Sequence, residues 1–376
     1  MKTNQHKKIL LINDHRERTG VGNYIFQVFR ILGNLKDDRY SFDMLMQNMK
    51  RKYVASSSEI SVQYRPFRLR GREFGRTYDL LSYYYFPKII PKGYSLYHFS
   101  SQMMGNSVRY IHPAIVTCHD IIAFRFPGNH NAFSEYIRRK NIAAMTRASF
   151  IIFISDHTKN NFLKLFDFDE SRTAVIYLGA SDLFKPRDKM TCREELGLPL
   201  NRRIILHVGT EAPRKNPVTL FQVIKKLKSN IPDILLIRIG GKRPATKQIV
   251  TELSLTENVS YFGNLPEEKL VKFYNAADVM IFPSIYEGFG LPVLEALQSG
   301  CPLVASNATS IPEITGDAAL LHDPMEVDSF VATIEKLLDN QSLREEYISK
   351  GLIQAKKFSW EKTARKTLEV YDKVCG

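Results

Sequence analysis

No run of about 18 or more apolar residues occurs in the 376-residue sequence, so no membrane-spanning helix is expected. Cysteine is scarce. Cys118, Cys192, Cys301 and Cys375 are scattered, without C-x-x-C spacing or a nearby histidine pair. That pattern argues against a zinc site and for a reducing compartment. The opening MKTNQHKKILLIN is basic, but its apolar stretch is short and runs straight into a turn. It reads as a first buried strand, not a signal peptide. Internal repeats of solenoid length and low-complexity tracts are also missing, which excludes repeat arrays.

What is present fits an ordinary globular protein: 44% hydrophobic and 24% charged residues. The length suits two domains at ~100–200 residues each. The charge is one-sided. Residues 1–180 hold 27 Lys+Arg against 14 Asp+Glu, a balance of +13, while the remainder holds 26 against 25. A basic half attracts nucleic acid, anionic lipid or phosphorylated ligands, and charge alone does not choose among them.

Strand-length apolar runs alternate with helical spacing along the chain, which predicts doubly wound α/β sheets. In the first half, 8–13, 41–46, 95–99, 114–119, 150–155 and 173–177 read as strands, and 23–32, 133–147 and 157–166 as helices. In the second, 203–208, 234–239, 259–262, 279–282 and 302–305 read as strands, and 218–228, 267–277 and 291–299 as helices. Most strands are nearly all-apolar rather than alternating, as expected when helices cover both faces of a parallel sheet. A linker is expected at 178–200, where Gly179, Pro186, Gly197 and Pro199 fall among mixed charges. Two Rossmann-like units in succession would face each other across a cleft, with ligand loops beyond the carboxyl ends of their strands.

The most informative segment is FPSIYEGFGLPVLEA (282–296). It leaves a buried strand, passes Gly288 and Gly290, and starts a helix with Pro292 in the first turn, where proline is favoured. Glycines let the backbone approach a ligand, and the helix start directs N–H groups and a positive dipole end at it, which suits a diphosphate. Glu287 in the loop and Glu295 about one turn into the helix can reach different parts of one ligand.

A second segment, HVGTEAPRKNP (207–217), places Arg214 and Lys215 at a helix start. Cations there oppose the helix dipole unless an anion sits among them. The pair could neutralise charge developing on a leaving diphosphate.

On these segments the chain resembles the retaining glycosyltransferases of the group 1 superfamily (family four), with the GT-B fold, over almost its whole length. The resemblance implies that Glu287 contacts the donor sugar and Glu295 the nucleotide ribose. It places Gly209, Arg214, Lys215, Gly288, Phe289, Gly290 and Leu291 in the donor site, with Thr210 standing where many members carry arginine. Of the following block, SNATSIPEITGDAAL (306–320), only the 306–310 backbone is expected to serve the donor, and the rest reads as a structural turn. IVTCHDIIAFRFP (115–127) matches the family's histidine block, so His119 is expected to position or polarise the sugar, with Asp120 as orienting or acceptor-side partner. TGVGNY (19–24) lacks the third glycine of a dinucleotide fingerprint, and the resemblance gives Gly22 the contact with donor phosphates or acceptor.

Asp167-Phe-Asp169 imitates a metal-binding D-x-D, but nothing beside it completes a metal shell, so no metal and no cofactor are expected. YRPFRLRGREFGR (64–76) interleaves five arginines with Phe67, Leu69 and Phe74. It reads as a surface for anionic lipid or a phosphorylated lipid-linked acceptor. RNA would suit it too, but no recognition module accompanies it.

The expected architecture is therefore an acceptor-side domain at 1–180, a donor-binding domain at 181–358, and a C-terminal helix, 359–376, that crosses back near Trp360. The expected activity is transfer of a hexose, mannose favoured, from a nucleoside diphosphate sugar to a glycan or lipid-linked acceptor. The expected location is the cytoplasm, with peripheral contact at an anionic membrane face. The alternatives are an epimerase or phosphorylase of the same fold, or a basic protein that binds nucleic acid or membrane without catalysis.

Overall fold

The computed structural model describes residues 6–13, 20–35, 37–46, 61–64, 83–126, 132–241 and 244–376. The arginine-rich segment 65–76 lies outside them. The chain divides into two compact units, Met1–Leu178 with Trp360–Gly376, and Gly179–Ser359.

Among the described residues, the first unit forms a seven-stranded parallel sheet in the order β3-β2-β1-β4-β5-β6-β7. The strands are β1 (Lys7–Asn13), β2 (Tyr40–Met46), β3 (Ser61–Tyr64), β4 (Leu96–Phe99), β5 (Ala114–Cys118), β6 (Phe150–Phe153) and β7 (Thr173–Val175). β3 is an addition to the expected set. Its four residues, Ser-Val-Gln-Tyr, carry too weak an apolar signal to stand out. Helices α1 (Gly20–Asn34), α2 (Ala132–Ala144) and α3 (Asp156–Leu165) follow β1, β5 and β6. Ser155 caps α3 by accepting the Thr158 N–H, which ends the preceding segment and sets the helix start. Leu10, Ile12, Phe99, Val116, Ile151 and Phe153 fill one core layer, each virtually inaccessible to solvent.

The second unit is a six-stranded parallel sheet in the order β10-β9-β8-β11-β12-β13. Its strands are β8 (Ile204–Val208), β9 (Leu235–Ile239), β10 (Val259–Phe262), β11 (Val279–Phe282), β12 (Leu303–Ser306) and β13 (Leu320–His322). Its helices are α4 (Lys189–Leu196), α5 (Pro217–Asn230), α6 (Pro244–Glu252), α7 (Glu267–Ala276), α8 (Leu291–Gln298), α9 (Ile311–Thr315), α10 (Val327–Asp339) and α11 (Gln341–Ala355). The expected linker thus contains a helix. Asp188 caps α4 by accepting the Thr191 N–H, and Gly197 ends it in the left-handed conformation. Arg193 of α4 pairs with Asp278 at 2.8 Å, tying the helix to the sheet beside β11. The 306–320 block, expected beyond Ser310 to be a turn, instead forms α9 and leads into β13. Pro312 sits at the start of α9, where it costs no hydrogen bond.

The last helix, α12 (Trp360–Cys375), belongs to the first unit. It is held by a buried polar chain. Tyr371 Oη lies 2.6 Å from His98 Nδ1, His98 Nε2 lies 2.8 Å from Thr117 Oγ1, and Tyr24 Oη lies 2.9 Å from the same oxygen. The Trp360 and Tyr24 rings are 6.5 Å apart. Among the described residues, no helix is long and apolar enough to cross a membrane.

Candidate functional site

In the second sheet the strand order reverses between β8 and β11, which are hydrogen-bonded neighbours. Open α/β sheets form their ligand crevice beyond the carboxyl ends of strands at such a switch point. Two loops meet there, 209–216 after β8 and 283–290 after β11. The Arg214 carbonyl accepts the Ile285 N–H at 2.7 Å, joining their backbones.

The side chains join as well. Lys215 Nζ lies 2.6 Å from Glu287 Oε1, and Arg214 Nη1 lies 3.1 Å from Glu287 Oε2. Burial would raise the Glu287 carboxyl, but Lys215 and Arg214 outweigh it and hold the group below its usual range. Burial lowers the Lys215 ammonium more than Glu287 raises it. Its Nζ also stands 4.9 Å over the Phe282 ring. The anion that the two cations require is therefore already supplied by the protein. Arg214 is the partly exposed member, while Lys215 and Glu287 are buried.

The loop is fixed from beneath. Thr309, in a left-handed turn, accepts the Glu287 N–H at 3.0 Å, and the Ser310 hydroxyl donates to the carbonyls of Glu287 and Phe289. Gly288 is partly exposed between them. Gly290 caps α8 with φ 107°, and no side chain caps the helix start, which begins at Leu291. Gly209, at φ 152°, lies under the Lys215 stem. Glu295, one turn into α8, accepts the Tyr274 hydroxyl at 2.7 Å. Burial pushes its carboxyl up to about 7, against the opposing effect of that hydrogen bond.

The remaining predicted residues lie on the first unit. Gly22 is buried in the first turn of α1, so the predicted glycine loop is already helical there. His119 follows β5. Its Nε2 donates to the Ser100 carbonyl at 2.7 Å, and its backbone N–H donates to Gln102. The Tyr24 ring meets the imidazole edge to face at 5.2 Å. Ser100 is thus an orienting partner of His119, while the Asp120 carboxylate accepts the Ile122 N–H at 3.1 Å and starts the next helical turn. Asp169 likewise caps a short turn, accepting the Ser171 N–H at 2.9 Å. Among the described residues, no group of three or more His, Cys, Asp and Glu could hold a metal ion.

Residues 188–353 match the family model described as Glycosyl transferases group 1, and 50–182 match Glycosyltransferase Family 4. The O-antigen chain mannosyltransferase B of Escherichia coli is 34% identical over 69% of this chain and 70% of its own length. This chain belongs to the group 1 glycosyltransferases. Another curated relative is matched over 53% of its length. Sucrose-phosphate synthase from Thermosynechococcus elongatus superposes with a TM-score of 0.80 at 21% identity, covering 98% of this chain and 99% of that one. HepE of Anabaena, solved with UDP and glucose, superposes at 0.75 with 18% identity, covering 98% and 100%. These two show the shared GT-B fold.

The glycosyltransferase also holds its candidate site residues with neighbours that its motifs do not announce. Tyr274 lies 21 positions before its partner Glu295, on another helix, so no local spacing points to it. Thr309 and Ser310 lie in a segment expected to contribute backbone only. Ser100 and Gln102, which hold His119, follow β4 and carry no motif.

Proposed function

We propose that the enzyme transfers a hexose, mannose by preference, from a nucleoside diphosphate sugar to a glycan or lipid-linked acceptor with retention of anomeric configuration. Such transfers build polysaccharide, lipopolysaccharide or glycolipid. The single observation that carries this reading is the Lys215–Glu287–Arg214 ion cluster beside the start of α8, at the switch point of the second sheet. The mannose preference is supported by the O-antigen mannosyltransferase relative.

In this reading the second unit holds the donor and the first receives the acceptor. Charge growing on the leaving diphosphate meets Lys215, Arg214 and the α8 N–H groups, fixed donors that need no rearrangement. The diphosphate then helps take the proton from the acceptor hydroxyl on the same face. Glu287, held by two cations, accepts hydrogen bonds from sugar hydroxyls and does not act as the nucleophile. Glu295 accepts from the ribose. His119 positions the sugar, with its tautomer set by the Ser100 carbonyl. Residues 65–76 supply the contact with anionic lipid or a phosphorylated acceptor.

A thermal-shift panel of GDP-, UDP- and dTDP-sugars is the first test, since a ligand bound only by the folded state raises the midpoint. GDP-mannose is expected to give the largest shift, and NMR of the product to show an α-linkage formed from the α-donor. Release of nucleoside diphosphate without any transferred sugar would sink the proposal.

A further inference from the structure

Arg238 and Glu211 have no part in the roles assigned above, yet both are almost completely buried. Arg238 stands in β9, Leu-Leu-Ile-Arg-Ile, as the lone polar residue of an apolar strand. Its register partner on β8 is His207. Arg238 Nη2 lies 3.5 Å from Glu211 Oε1, and Nη1 donates to the Gly209 carbonyl at 3.3 Å and to His207 Nδ1. The Thr246 hydroxyl of α6 donates to the other Glu211 oxygen. A guanidinium can only donate, so His207 Nδ1 accepts and the ring is neutral with its proton on Nε2. Burial first, then the charges of Arg238 and Lys215, keep that imidazole from ionising.

A buried ion pair is often matched or exceeded by apolar residues of similar volume. What it adds is direction, because the planar fork of arginine fixes several acceptors at once. Here the acceptors are the Gly209 carbonyl and the Glu211 carboxylate, at the two ends of the turn 209–211. That turn leads into Pro213–Lys215, and the Lys215 stem passes over Gly209. A Cβ on Gly209 would stand 3.7 Å from Lys215 Cε. Gly240 closes the opposite side, where a Cβ would fall 2.2 Å from the Gly209 carbonyl oxygen. The turn is therefore confined on both sides, with the Lys215 stem against it.

We propose that Arg238 and Glu211 are positioning residues that hold the turn 209–211 so that Arg214 and Lys215 meet the donor diphosphate. The inference rests on the donor-site reading above.

The test is calorimetric titration of GDP and UDP into the full chain and three variants, with steady-state kinetics on each. Arg238→Lys keeps the charge but loses the fork, Glu211→Gln keeps the shape but loses the charge, and Glu211→Leu/Arg238→Met replaces the pair with apolar bulk. Each variant is expected to bind the nucleotide about tenfold more weakly and to raise donor KM in parallel, as slight misplacement of charged groups does. Acceptor KM should stay unchanged, and the double variant should melt close to the parent. A folded double variant with parental nucleotide affinity overturns the proposal, as does a loss of kcat with donor KM unmoved. If the parent protein binds none of GDP, UDP and dTDP, the donor-site reading itself fails, and the inference with it.

Discussion

Lys215 Nζ and Glu287 Oε1 lie 2.6 Å apart, although their residues come from loops after different strands. Both side chains are buried, so neither charge has water to fall back on. Removing Glu287 leaves Lys215 uncompensated, which costs about 3–5 kcal/mol, whereas Glu287 without Lys215 still has Arg214. Glu287→Gln should lower stability in urea unfolding by that order, and Lys215→Met by less, because Arg214 still pairs with Glu287. Lys215→Met/Glu287→Leu should recover much of it while staying inactive. Sugar transfer by Lys215→Met should fall about 10²–10³-fold, the usual loss when one fixed transition-state donor is removed. A stable double variant with substantial activity would refute this.

Glu295 gives a pH test. Its carboxyl sits at about 7 in the folded chain against an ordinary 4.5. Between those values the unfolded chain releases the proton and the folded chain keeps it. Stability from this group is therefore full below about pH 4.5 and lost as pH rises through about 7. Glu295→Gln should remove that slope, making the variant relatively more stable at pH 8 than at pH 5. Donor KM should fall as pH rises through about 7 in the parent, and not in the variant, because an ionised carboxylate is the stronger acceptor. Melting curves and donor titrations at several pH values decide both points.

His98 acts in the opposite sense. Burial, helped by the neighbouring His119, pushes its imidazole down to about 3 from 6.5. The unfolded chain takes up a proton near 6.5 and the folded chain does not, so stability is full above about 6.5 and lost as pH falls towards 3. Tyr371→Phe strips His98 Nδ1 of its buried partner and should cost about 1–3 kcal/mol. The loss should show first as faster hydrogen exchange in α12.

Two glycines should respond differently to alanine. Gly290→Ala meets Ile311 Cδ1 at 2.9 Å, the end of a flexible side chain. With its positive φ, it should cost about 1–2 kcal/mol. Gly240→Ala meets the Gly209 carbonyl, which cannot step aside, and should cost more. Chemical denaturation of both variants checks the ranking.

Much of this was open to sequence reasoning, for identifiable reasons. β8, β9 and β11 are apolar except for His207 and Arg238, because helices cover both faces, and such runs are hard to mistake. The Glu287 loop announced itself through glycines, proline and a helix start. α4 was legible in principle, since Asp188 and Gly197 are a cap and a stop, but the surrounding Gly and Pro read as linker. The pairing of Lys215 with Glu287 was beyond reach. It depends on β8 and β11 being neighbours, which is a property of sheet order and not of either segment. The same holds for Tyr274 and Glu295. Arg238 left one trace, a charge inside an apolar strand, and without Glu211 placed beside it that trace has no meaning.

Because α12 packs on the first unit, the second unit is in effect spliced into the first. During synthesis the whole of Gly179–Ser359 is made before the first unit receives Trp360–Cys375. Until Trp360–Cys375 emerges, Tyr24, His98 and Thr117 have no Tyr371 to cover them. The half made first is thus finished last.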